Sequence, residues 1–329
     1  MHYTLLGRTG VQVSRLCYGT MSFGGDADEA TSAAMFKRCR DAGINFFDSA
    51  NVYSQGRAEE ILGRLIKDCR DELVITSKVF GPMGKGRNDR GLSRRNIMLA
   101  AEASLRRLGT DRLDVYFCHQ FDPTVPIDET LAAMDDLVGQ GKVVYPGVSN
   151  WSAWQTAKGL GIAERLGLTP IYVLQPMYSL AKRTAEIEIL PLAEQENLAV
   201  IPYSPLGGGL LTGKYTKSKR DQKGRLVTNE RYSQRYGDDA YYRLAEDFAD
   251  YGKRAGTHPA TLAVAWVMAN PAVTAPIIGA RNVEQLDASL AAADYTMSQQ
   301  QREELSDLTS PVPLATDRAE EQLEKWRGP

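Results

Sequence analysis

The stretch Ile44-Asn45-Phe46-Phe47-Asp48 is apolar almost throughout and ends in a carboxylate. Short runs of this kind, rich in β-branched and aromatic residues, recur along the chain and predict strands. Strands that are apolar on both faces are typical of a parallel sheet covered by helices on both sides. The predicted strands are Arg15–Gly19, Asn45–Asp48, Leu73–Lys78, Leu113–His119, Val143–Asn150, Ile171–Gln175, Leu198–Tyr203 and Thr274–Gly279.

Segments with helical periodicity alternate with these strands. Ser93 is the predicted N-cap of one such helix, and Gly109 is the predicted stop after Leu108. Strand–helix alternation repeated eight times favours an α/β protein with a closed (β/α)8 TIM barrel, and an open doubly wound sheet is the alternative. The predicted helices are Ala30–Ala42, Glu59–Cys69, Ser93–Leu108, Ile127–Gly139, Trp151–Leu166, Glu186–Asn197, Pro259–Ala269 and Val283–Ala292.

Two segments depart from the alternation. Residues Tyr3–Ser14 predict an N-terminal β-hairpin with a Thr9-Gly10 turn, which would cap the bottom of the barrel. The connection after strand 7, Gly207–Asp238, has little apolar periodicity, and its part Lys214–Arg235 contains eight basic and two acidic residues. Loops this long are usually functional or mobile. The connection is therefore either a solvated surface loop or a cationic lid over an anionic ligand.

The composition narrows the classes of function. The chain has 329 residues, 43% hydrophobic residues and a net charge of −2, so we expect residues 1–329 to form a single barrel domain. A near-neutral charge gives no reason to expect nucleic acid or an anionic membrane as a partner. No apolar run approaches the ~20 residues that span a bilayer, and the N-terminus does not resemble a signal peptide. We therefore expect a cytoplasmic location.

Cysteine and histidine are too few or too scattered for a metal or disulfide framework. The four cysteines form no C-x-x-C pair, which argues against a zinc knuckle and favours buried, reduced thiols. The three histidines leave almost no possibility of a multi-histidine metal site. We expect no metal in this protein.

Four polar residues lie where predicted strands end. Asp48 ends the second strand, Tyr53 follows five residues later, Lys78 ends the third strand and His119 ends the fourth. The carboxyl ends of barrel strands share one face, where active sites lie. We therefore expect these side chains to converge at the barrel mouth. Each alone also has a structural explanation, as a turn cap, a loop aromatic, a solvated strand end or a core histidine.

Together these residue types suit acid catalysis. A free tyrosine has a pKa of roughly 10, which is too high for an efficient proton donor near neutrality. We expect the ammonium of Lys78 to lower the pKa of Tyr53, and Asp48 to hold Lys78 in place and keep it charged. His119 would donate to a carbonyl oxygen and orient the substrate.

At these residues the sequence resembles the aldo-keto reductase superfamily, over nearly the whole chain. The segments Gly43–Tyr53 and Ala58–Gly63 are similar to the family pattern G-x-x-x-x-D-x-A-x-x-Y…E-x-x-L-G. The long loop and the segment Arg90–Ser93 are most similar to bacterial oxidoreductases and to the β subunits of voltage-gated potassium channels. Further matching segments are Leu6–Gly10, Gly19–Met21, Lys78, His119, Gly147–Asn150, Gln175, Tyr203–Leu206 and Gly279–Arg281.

The resemblance implies a nicotinamide cofactor and a catalytic tetrad of Asp48, Tyr53, Lys78 and His119. Arg281 would grip a 2′-phosphate with two donors, which favours NADP(H) over NAD(H). The chain departs from the family at Ser289, where an asparagine often contacts adenine. The resemblance implies that the nicotinamide carboxamide contacts Ser149, Asn150 and Gln175, and that its ring stacks on Tyr203. It places Ser204, Leu206 and Lys214 around the pyrophosphate, and Gly279, Arg281 and Gln285 at the adenosine phosphate. Further implied cofactor contacts are Gly19, Thr20, Asp48, Pro205, Gly208, Leu210 and Ala280.

The predicted activity is NADPH-dependent reduction of an aldehyde or ketone, with Tyr53 as general acid. The alternatives are oxidation of a sugar or alcohol with NADP⁺ and a regulatory cofactor-binding module like the channel β subunits. The charged tail Asp317–Arg327 is predicted to form a helix or to pack on the barrel, and oligomerisation is left open. Four residues that follow strand ends are predicted either to line the pocket for a small-molecule carbonyl or sugar substrate or to pack within loops: Met21, Phe23, Phe80 and Trp151.

Overall fold

The computed structural model describes residues 1–216, 224–313 and 315–316. The predicted tail helix Asp317–Arg327 lies outside these residues, as does the middle of the long loop. The strands, in chain order, are β1 (Tyr3–Leu5), β2 (Gln12–Ser14), β3 (Cys17–Gly19), β4 (Phe46–Asp48), β5 (Val74–Val79), β6 (Leu113–Cys118), β7 (Val143–Ser149), β8 (Val173–Gln175), β9 (Ala199–Val200) and β10 (Ile277–Ile278).

Strands β3 to β10 form an eight-stranded parallel sheet in the order β10-β3-β4-β5-β6-β7-β8-β9. Backbone hydrogen bonds also join its two ends, from Thr274 N to Val200 O at 2.9 Å and from Ile277 N to Pro202 O at 2.8 Å. The sheet is therefore curled around on itself, and the prediction of a (β/α)8 TIM barrel is confirmed. Every predicted strand overlaps an observed one.

Alternation along the strands divides the core into two layers. Phe46 and Phe117 point into the barrel and pack in a cluster with Val115 and Val173. Their neighbour Phe47 belongs instead to the larger cluster between the barrel wall and the helices. This two-sided burial explains why the strands are apolar almost throughout.

The N-terminal hairpin closes the bottom of the barrel, as predicted. Leu6 and Val13 are buried in the same cluster as the inward-facing strand residues. Asn45, which precedes β4, accepts a hydrogen bond from Ser14 N at 2.8 Å and donates to Gln12 O at 3.0 Å. Gly10 ends the turn with a φ of 78°, a conformation that glycine adopts without steric cost.

The helices begin and end close to the predicted positions. Ser93 accepts from Asn96 N at the start of α3, and Gly109 ends α3 with a φ of 62°. The helices are α1 (Glu29–Asp41), α2 (Arg57–Ile66), α3 (Arg94–Leu108), α4 (Ile127–Gly139), α5 (Ala153–Leu166), α6 (Ile189–Gln195), α7 (Arg225–Thr228), α8 (Glu230–Tyr236), α9 (Asp239–Arg254), α10 (Pro259–Met268), α11 (Val283–Leu290) and α12 (Gln299–Ser306).

The sequence prediction missed four of these helices. Helices α7 and α8 lie inside the connection that was treated as a loop, and α12 follows the last predicted helix. Helix α9 begins where that loop was predicted to end. Asp238 caps it by accepting from Ala240 N at 2.7 Å. Its buried residues Tyr242, Ala245 and Phe248 recur at helical spacing. Within the described residues, no helix is long and apolar enough to cross a membrane.

Candidate active site

The polar residues singled out from the sequence follow adjacent strands at one end of the barrel. In the parallel register Gly19 pairs with Asp48, and Ser149 pairs with Gln175. Lys78 is paired with Phe117 at the same level of the barrel. These residues therefore occupy the carboxyl-terminal ends of six neighbouring strands, β3 to β8, at the barrel mouth.

Lys78 is the most constrained of them. Its side chain is 0% exposed, and its ammonium donates to Asp48 Oδ2 at 2.6 Å and to Ser49 O at 2.6 Å. A third donation reaches Tyr53 Oη at 3.4 Å. A lysine ammonium has three donors, so these contacts use all of them. Burial lowers the pKa of Lys78, and the adjacent Asp48 carboxylate counters that effect.

Asp48 is held as tightly as its partner. Its side chain is 2% exposed. While Oδ2 accepts from Lys78, Oδ1 accepts from Thr76 Oγ1 at 2.7 Å and from Gln175 Nε2 at 2.9 Å. A buried ion pair is tolerated when further hydrogen bonds satisfy its remaining polar atoms. Gln175 therefore contacts the tetrad directly, a contact that the sequence did not reveal.

Tyr53 begins a tight turn between β4 and α2. Ser54 and Gln55 have φ values of 48° and 55°, and Gly56 has a φ of 93°. Consecutive residues in the left-handed region are uncommon and persist where the surrounding structure holds them. Here Ser54 Oγ donates to Phe23 O at 2.8 Å. The turn fixes the phenol above the amine of Lys78, whose nitrogen lies 5.0 Å from the ring centroid.

The expected lowering of the Tyr53 pKa by Lys78 is wrong. Desolvation of the phenol raises the pKa of Tyr53 well above its ordinary value, and the Asp48 carboxylate adds to the rise. The ammonium is neutralised by Asp48, so its field at the phenol is reduced. Tyr53 is consequently protonated at neutral pH, with a hydrogen-bond donor on its oxygen.

His119 directly follows β6, two strands away from β4, and faces the Tyr53 phenol. Its ring is 6.1 Å from the Tyr53 ring, centroid to centroid, and nearly perpendicular to it. Burial, together with the positive charges of Lys78 and Arg231, lowers the pKa of His119 to about 3. The imidazole is therefore neutral at physiological pH, and a neutral imidazole has one N–H donor.

The residues expected around a nicotinamide form one hydrogen-bonded chain. Tyr203 Oη donates to Asn150 Oδ1 at 2.7 Å, and Asn150 Nδ2 donates to His119 O at 2.9 Å. Asn150 Nδ2 also donates to Ser149 Oγ at 3.0 Å, and Ser149 Oγ donates to Gln175 O at 2.9 Å. This chain places the half-buried ring of Tyr203 beside the tetrad.

The residues expected along the rest of the cofactor differ in accessibility. Thr20, Pro205 and Leu210 are buried, whereas the side chain of Lys214 is exposed. Leu210 packs in a small cluster with Tyr236, away from solvent. Gly19 is also buried. Leaving aside the residues expected around the nicotinamide, the half-buried or exposed members of the set are Ser204, Leu206, Gly208, Gly279, Ala280, Arg281 and Gln285. Ser289, at the departure from the family pattern, is fully buried.

Residues 224–237, which carry α7 and α8, form a cover at the barrel mouth. Asp26, which follows β3, accepts from Arg225 of the cover at 2.8 Å and from Arg281 at 3.1 Å. The ring of Tyr232 packs on Gly208, where an added Cβ would lie 2.5 Å from it. The sequence did not single out Asp26 or Tyr232, because neither belongs to a strand end or a quoted motif.

Between the cover and the loop after β3 lies a cavity of about 680 Å³. Met21, Asp26, Arg231 and Tyr232 are among its lining residues. Two carboxylates, Asp26 and Glu230, stand here against the three guanidinium groups of Arg225, Arg231 and Arg281, so this region carries one excess positive charge. Four of the eight basic residues of the predicted lid lie outside the described residues, so the choice between a cationic lid and a solvated loop stays a prediction.

The residues predicted to line the substrate pocket are placed differently. Met21 is 43% exposed, and Phe80 is half-buried. Phe23 is 0% exposed and packs against Tyr18 in the core, so its loop-packing alternative is the correct one. Trp151 is mostly buried and touches Phe121 edge to face, with ring centroids 5.3 Å apart.

Phe121 also contacts Trp154, which is 60% exposed. Together with Trp151 these rings form an aromatic group made by the loops after β6 and β7 and the first turn of α5. The sequence analysis missed Phe121 and Trp154. A signal was available, since Phe121 lies two residues after His119 and Trp154 three residues after Trp151.

The sequence profile of the aldo/keto reductase family matches residues 15–309. The chain belongs to this family. It is 41% identical to the uncharacterized oxidoreductase YrpG of Bacillus subtilis, over 94% of this chain and 96% of that protein. It is 39% identical to a probable voltage-gated potassium channel subunit beta of Oryza sativa, over 89% and 92% of the two chains. It is 33% identical to norsolorinic acid reductase of Aspergillus flavus, over 93% and 80%.

Family membership and the oxidoreductase relatives establish the class of chemistry. The protein is an oxidoreductase that acts on carbonyl or alcohol groups of small molecules. The family typically uses nicotinamide cofactors. The predicted resemblance to bacterial oxidoreductases and channel β subunits is confirmed by the relatives above.

Proposed function

We propose that this protein is an NADPH-dependent carbonyl reductase in which Tyr53 is the general acid. The observation that carries the proposal is the position of the Lys78 ammonium, 3.4 Å from the Tyr53 oxygen and fixed by Asp48 at 2.6 Å. A buried cation beside a phenol stabilises the phenolate that proton donation leaves behind.

The nicotinamide supplies the hydride when it is bound. The chain's own residues then act on the carbonyl oxygen. Tyr53 holds its proton in the ground state, because its pKa is raised, and transfers it as negative charge develops on the substrate oxygen. Lys78 stabilises the new phenolate through its existing hydrogen bond. Catalysis benefits because this interaction is stronger in the transition state than before it.

His119 and the amide-bearing residues would orient the reactants. The neutral imidazole of His119 has one N–H to donate to the carbonyl oxygen. Ser149, Asn150 and Gln175 offer polar atoms beside the tetrad for a carboxamide, and Tyr203 offers a ring face for stacking. These roles agree with the hydrogen-bonded chain that links the four residues.

We propose NADP(H) as the preferred cofactor. Arg281 lies at the far end of the mouth, with its side chain partly exposed and its Nε on Asp26. A guanidinium binds phosphate through paired donors, and Arg225 adds a second cation nearby. Lys214 would serve the pyrophosphate. We also expect a cytoplasmic location, as the sequence predicts.

Two other functions are alternatives to this proposal, and the substrate panel described below tests them as well. Oxidation of a sugar or alcohol uses the same tetrad in the opposite direction. A regulatory role is suggested by the relatives named as potassium channel subunits beta, which would give slow single turnover with a protein partner. The relatives named norsolorinic acid reductase favour the reductive direction.

The test compares Tyr53→Phe with the wild-type protein. The change removes the proton and leaves the ring, so we expect kcat to fall by about 10²- to 10⁴-fold, while the Kd for NADPH changes less than about threefold. Turnover of 4-nitrobenzaldehyde, other aldehydes, ketones and sugars is followed by NADPH and NADH oxidation, and binding by nucleotide fluorescence.

The matched control is Tyr3→Phe, which removes a hydroxyl from the exposed hairpin at the other end of the barrel. Unchanged turnover in Tyr53→Phe would remove Tyr53 from its assigned role. A wild-type protein that completes only one slow turnover on every substrate would favour the regulatory function.

A further inference from the structure

Behind the strand that carries Lys78 lies a carboxylate with no role in the mechanism above. Glu59 of α2 is 0% exposed, and a buried carboxylate is unfavourable unless it is paired and hydrogen-bonded. Arg107 Nε of α3 donates to Glu59 Oε2 at 2.6 Å, and Ser77 Oγ of β5 donates to Oε1. Glu59 therefore ties two helices to the outer face of β5.

The first consequence concerns Lys78. Ser77 precedes it, and successive side chains of a strand point to opposite faces. The hydroxyl of Ser77 is bound outside the barrel wall while the amine of Lys78 points inward to Tyr53. The same stretch of backbone also accepts from the turn, because Asn51 N donates to Lys78 O at 3.2 Å. The hydrogen bond of Ser77 therefore fixes the backbone of β5 from which the Lys78 side chain extends.

The second consequence concerns Tyr53. Gly56 ends the left-handed turn that Tyr53 begins, and a Cβ at Gly56 would lie 2.8 Å from Arg107 Cδ and 2.9 Å from Arg107 Nε. The arginine side chain therefore packs directly against the end of the turn. Such a turn keeps its shape only while its surroundings hold it. Arg107 is in turn held by Glu59 and by Ser104 Oγ, to which it donates at 3.3 Å.

From these contacts we infer that Glu59 and Arg107 are positioning residues for the pair Tyr53 and Lys78. One buried ion pair, outside the barrel and away from the mouth, fixes the strand under the amine and the turn under the phenol. The inference rests on the roles proposed above for Tyr53 and Lys78. It adds a prediction about residues that touch neither substrate nor cofactor.

Glu59 also acts on Lys78 through its charge. Its carboxylate raises the pKa of Lys78 and so opposes the lowering caused by burial. Without that charge, Lys78 loses its proton at a lower pH. The basic limb of the kcat profile should then move to lower pH. The other titratable groups around this amine are Asp48, Tyr53, Cys17 and His119.

The experiment compares Glu59→Gln with Glu60→Gln, its exposed neighbour on the same helix. We expect Glu59→Gln to lower kcat by about tenfold through misplacement of the pair, with the Kd for NADPH unchanged and the basic limb shifted to lower pH. Glu60→Gln should match wild type in all three. Thermal unfolding of each variant verifies that the protein compared is folded.

Ser77→Ala is the second variant. If Glu59→Gln does not fold, Ser77→Ala tests the positioning role by itself. It leaves the ion pair intact and removes only the hydroxyl between Glu59 and β5. We expect it to lower kcat by a few-fold while the basic limb stays in place, because the carboxylate charge remains. Arg107→Lys, which keeps the charge but loses the contact with Gly56, should lower kcat as well.

The inference is overturned if Glu59→Gln and Ser77→Ala lower the melting temperature yet retain wild-type kcat and pH profile. It is also overturned if Ser77→Ala alone is obtained folded and turns over at the wild-type rate. Tyr53→Phe separates this failure from that of the proposed function. Turnover lost in Tyr53→Phe but retained in Glu59→Gln contradicts only the positioning role, whereas turnover retained in Tyr53→Phe contradicts the proposed mechanism.

Discussion

The two ion-pair groups at the barrel mouth are held in opposite ways. Lys78 and Asp48 are almost fully buried, and every donor of the amine is used. Asp26, Arg225 and Arg281 are 45%, 23% and 37% exposed. Water and salt screen the second group but hardly reach the first. The buried pair therefore sets a fixed geometry, whereas the exposed group can open and re-form.

In the proposed function, this difference separates the chemistry from the binding of the dinucleotide. The proposed proton transfer needs a fixed cation, and the interior supplies it at the cost of desolvating two charges. A dinucleotide must enter and leave, so contacts that close over it are better made by exposed pairs. Changes on the buried side should affect kcat, and changes on the exposed side should affect cofactor affinity.

The largest effect should come from the buried side. Lys78→Met removes the ammonium and leaves Asp48 buried without its counter-charge, so we expect kcat to fall by about 10³-fold. The melting temperature should fall as well, because an unpaired buried carboxylate is destabilising. Steady-state kinetics and thermal unfolding measure the two effects. The control is Lys85→Met, in the exposed loop after β5. A kcat of Lys78→Met within tenfold of wild type would contradict the assignment of the chemistry to the buried pair.

A smaller effect is expected on the exposed side. Arg281→Met should weaken NADPH binding by about 10- to 100-fold, the loss of a charge-assisted contact of about 1.5–3 kcal/mol. NADH binding should be unchanged, and kcat at saturating NADPH should be retained. Fluorescence titration with both nucleotides measures this. The control is Arg112→Met, which breaks a partly exposed pair with Asp71 at the opposite end of the barrel. Equal losses of affinity for both nucleotides in Arg281→Met would show that Arg281 does not read the 2′-phosphate.

The smallest effect is a dependence of stability on pH. The pKa of His119 is about 3 in the folded protein and roughly 6.5 when unfolded. Between these values the unfolded chain binds a proton that the folded chain excludes, so the free energy of unfolding falls as the pH falls. His119→Asn should lack this part of the acid sensitivity.

Its measurement is the difference in melting temperature between wild type and His119→Asn at pH 7 and at pH 4.5. We expect the difference to move in favour of the variant by about a few degrees on acidification. His2→Asn, at the N-terminus, should show no such movement. A difference that stays constant with pH would mean that the imidazole is less desolvated than the structure indicates.

Sequence reasoning located the barrel and the tetrad because both depend on local patterns. Apolar runs predict strands, and a polar residue at the end of each run predicts the mouth, which placed Asp48, Lys78 and His119 correctly. It did not predict that Gln175 binds Asp48, since this contact joins strands far apart in sequence. The cover was mistaken for a loop because α7 has four residues and α8 seven, too few for a clear period.

The degree of burial of individual side chains could not be predicted from the sequence either. The pKa of Tyr53 is raised by desolvation of the phenol and by the Asp48 carboxylate, and the sequence predicts the nearby charges but not the burial. The same reason applies to Phe23, whose position after a strand end is visible but whose burial depends on the packing of its loop. Helix α9 was detectable in principle, because its apolar residues and its cap at Asp238 follow a regular pattern.

The hairpin at the bottom of the barrel affects how ligands can enter and leave the barrel. Leu6 and Val13 fill the floor, and Gly7 approaches the backbone of Ala199 so closely that a Cβ would lie 2.7 Å from its nitrogen. Among the residues that the structure describes, the hairpin therefore closes the lower end of the barrel, and the mouth is the opposite end. If the dinucleotide of the proposed function lies deeper in this mouth than the carbonyl substrate, it must enter first and leave last, and we then expect its release to be the slow step of the cycle.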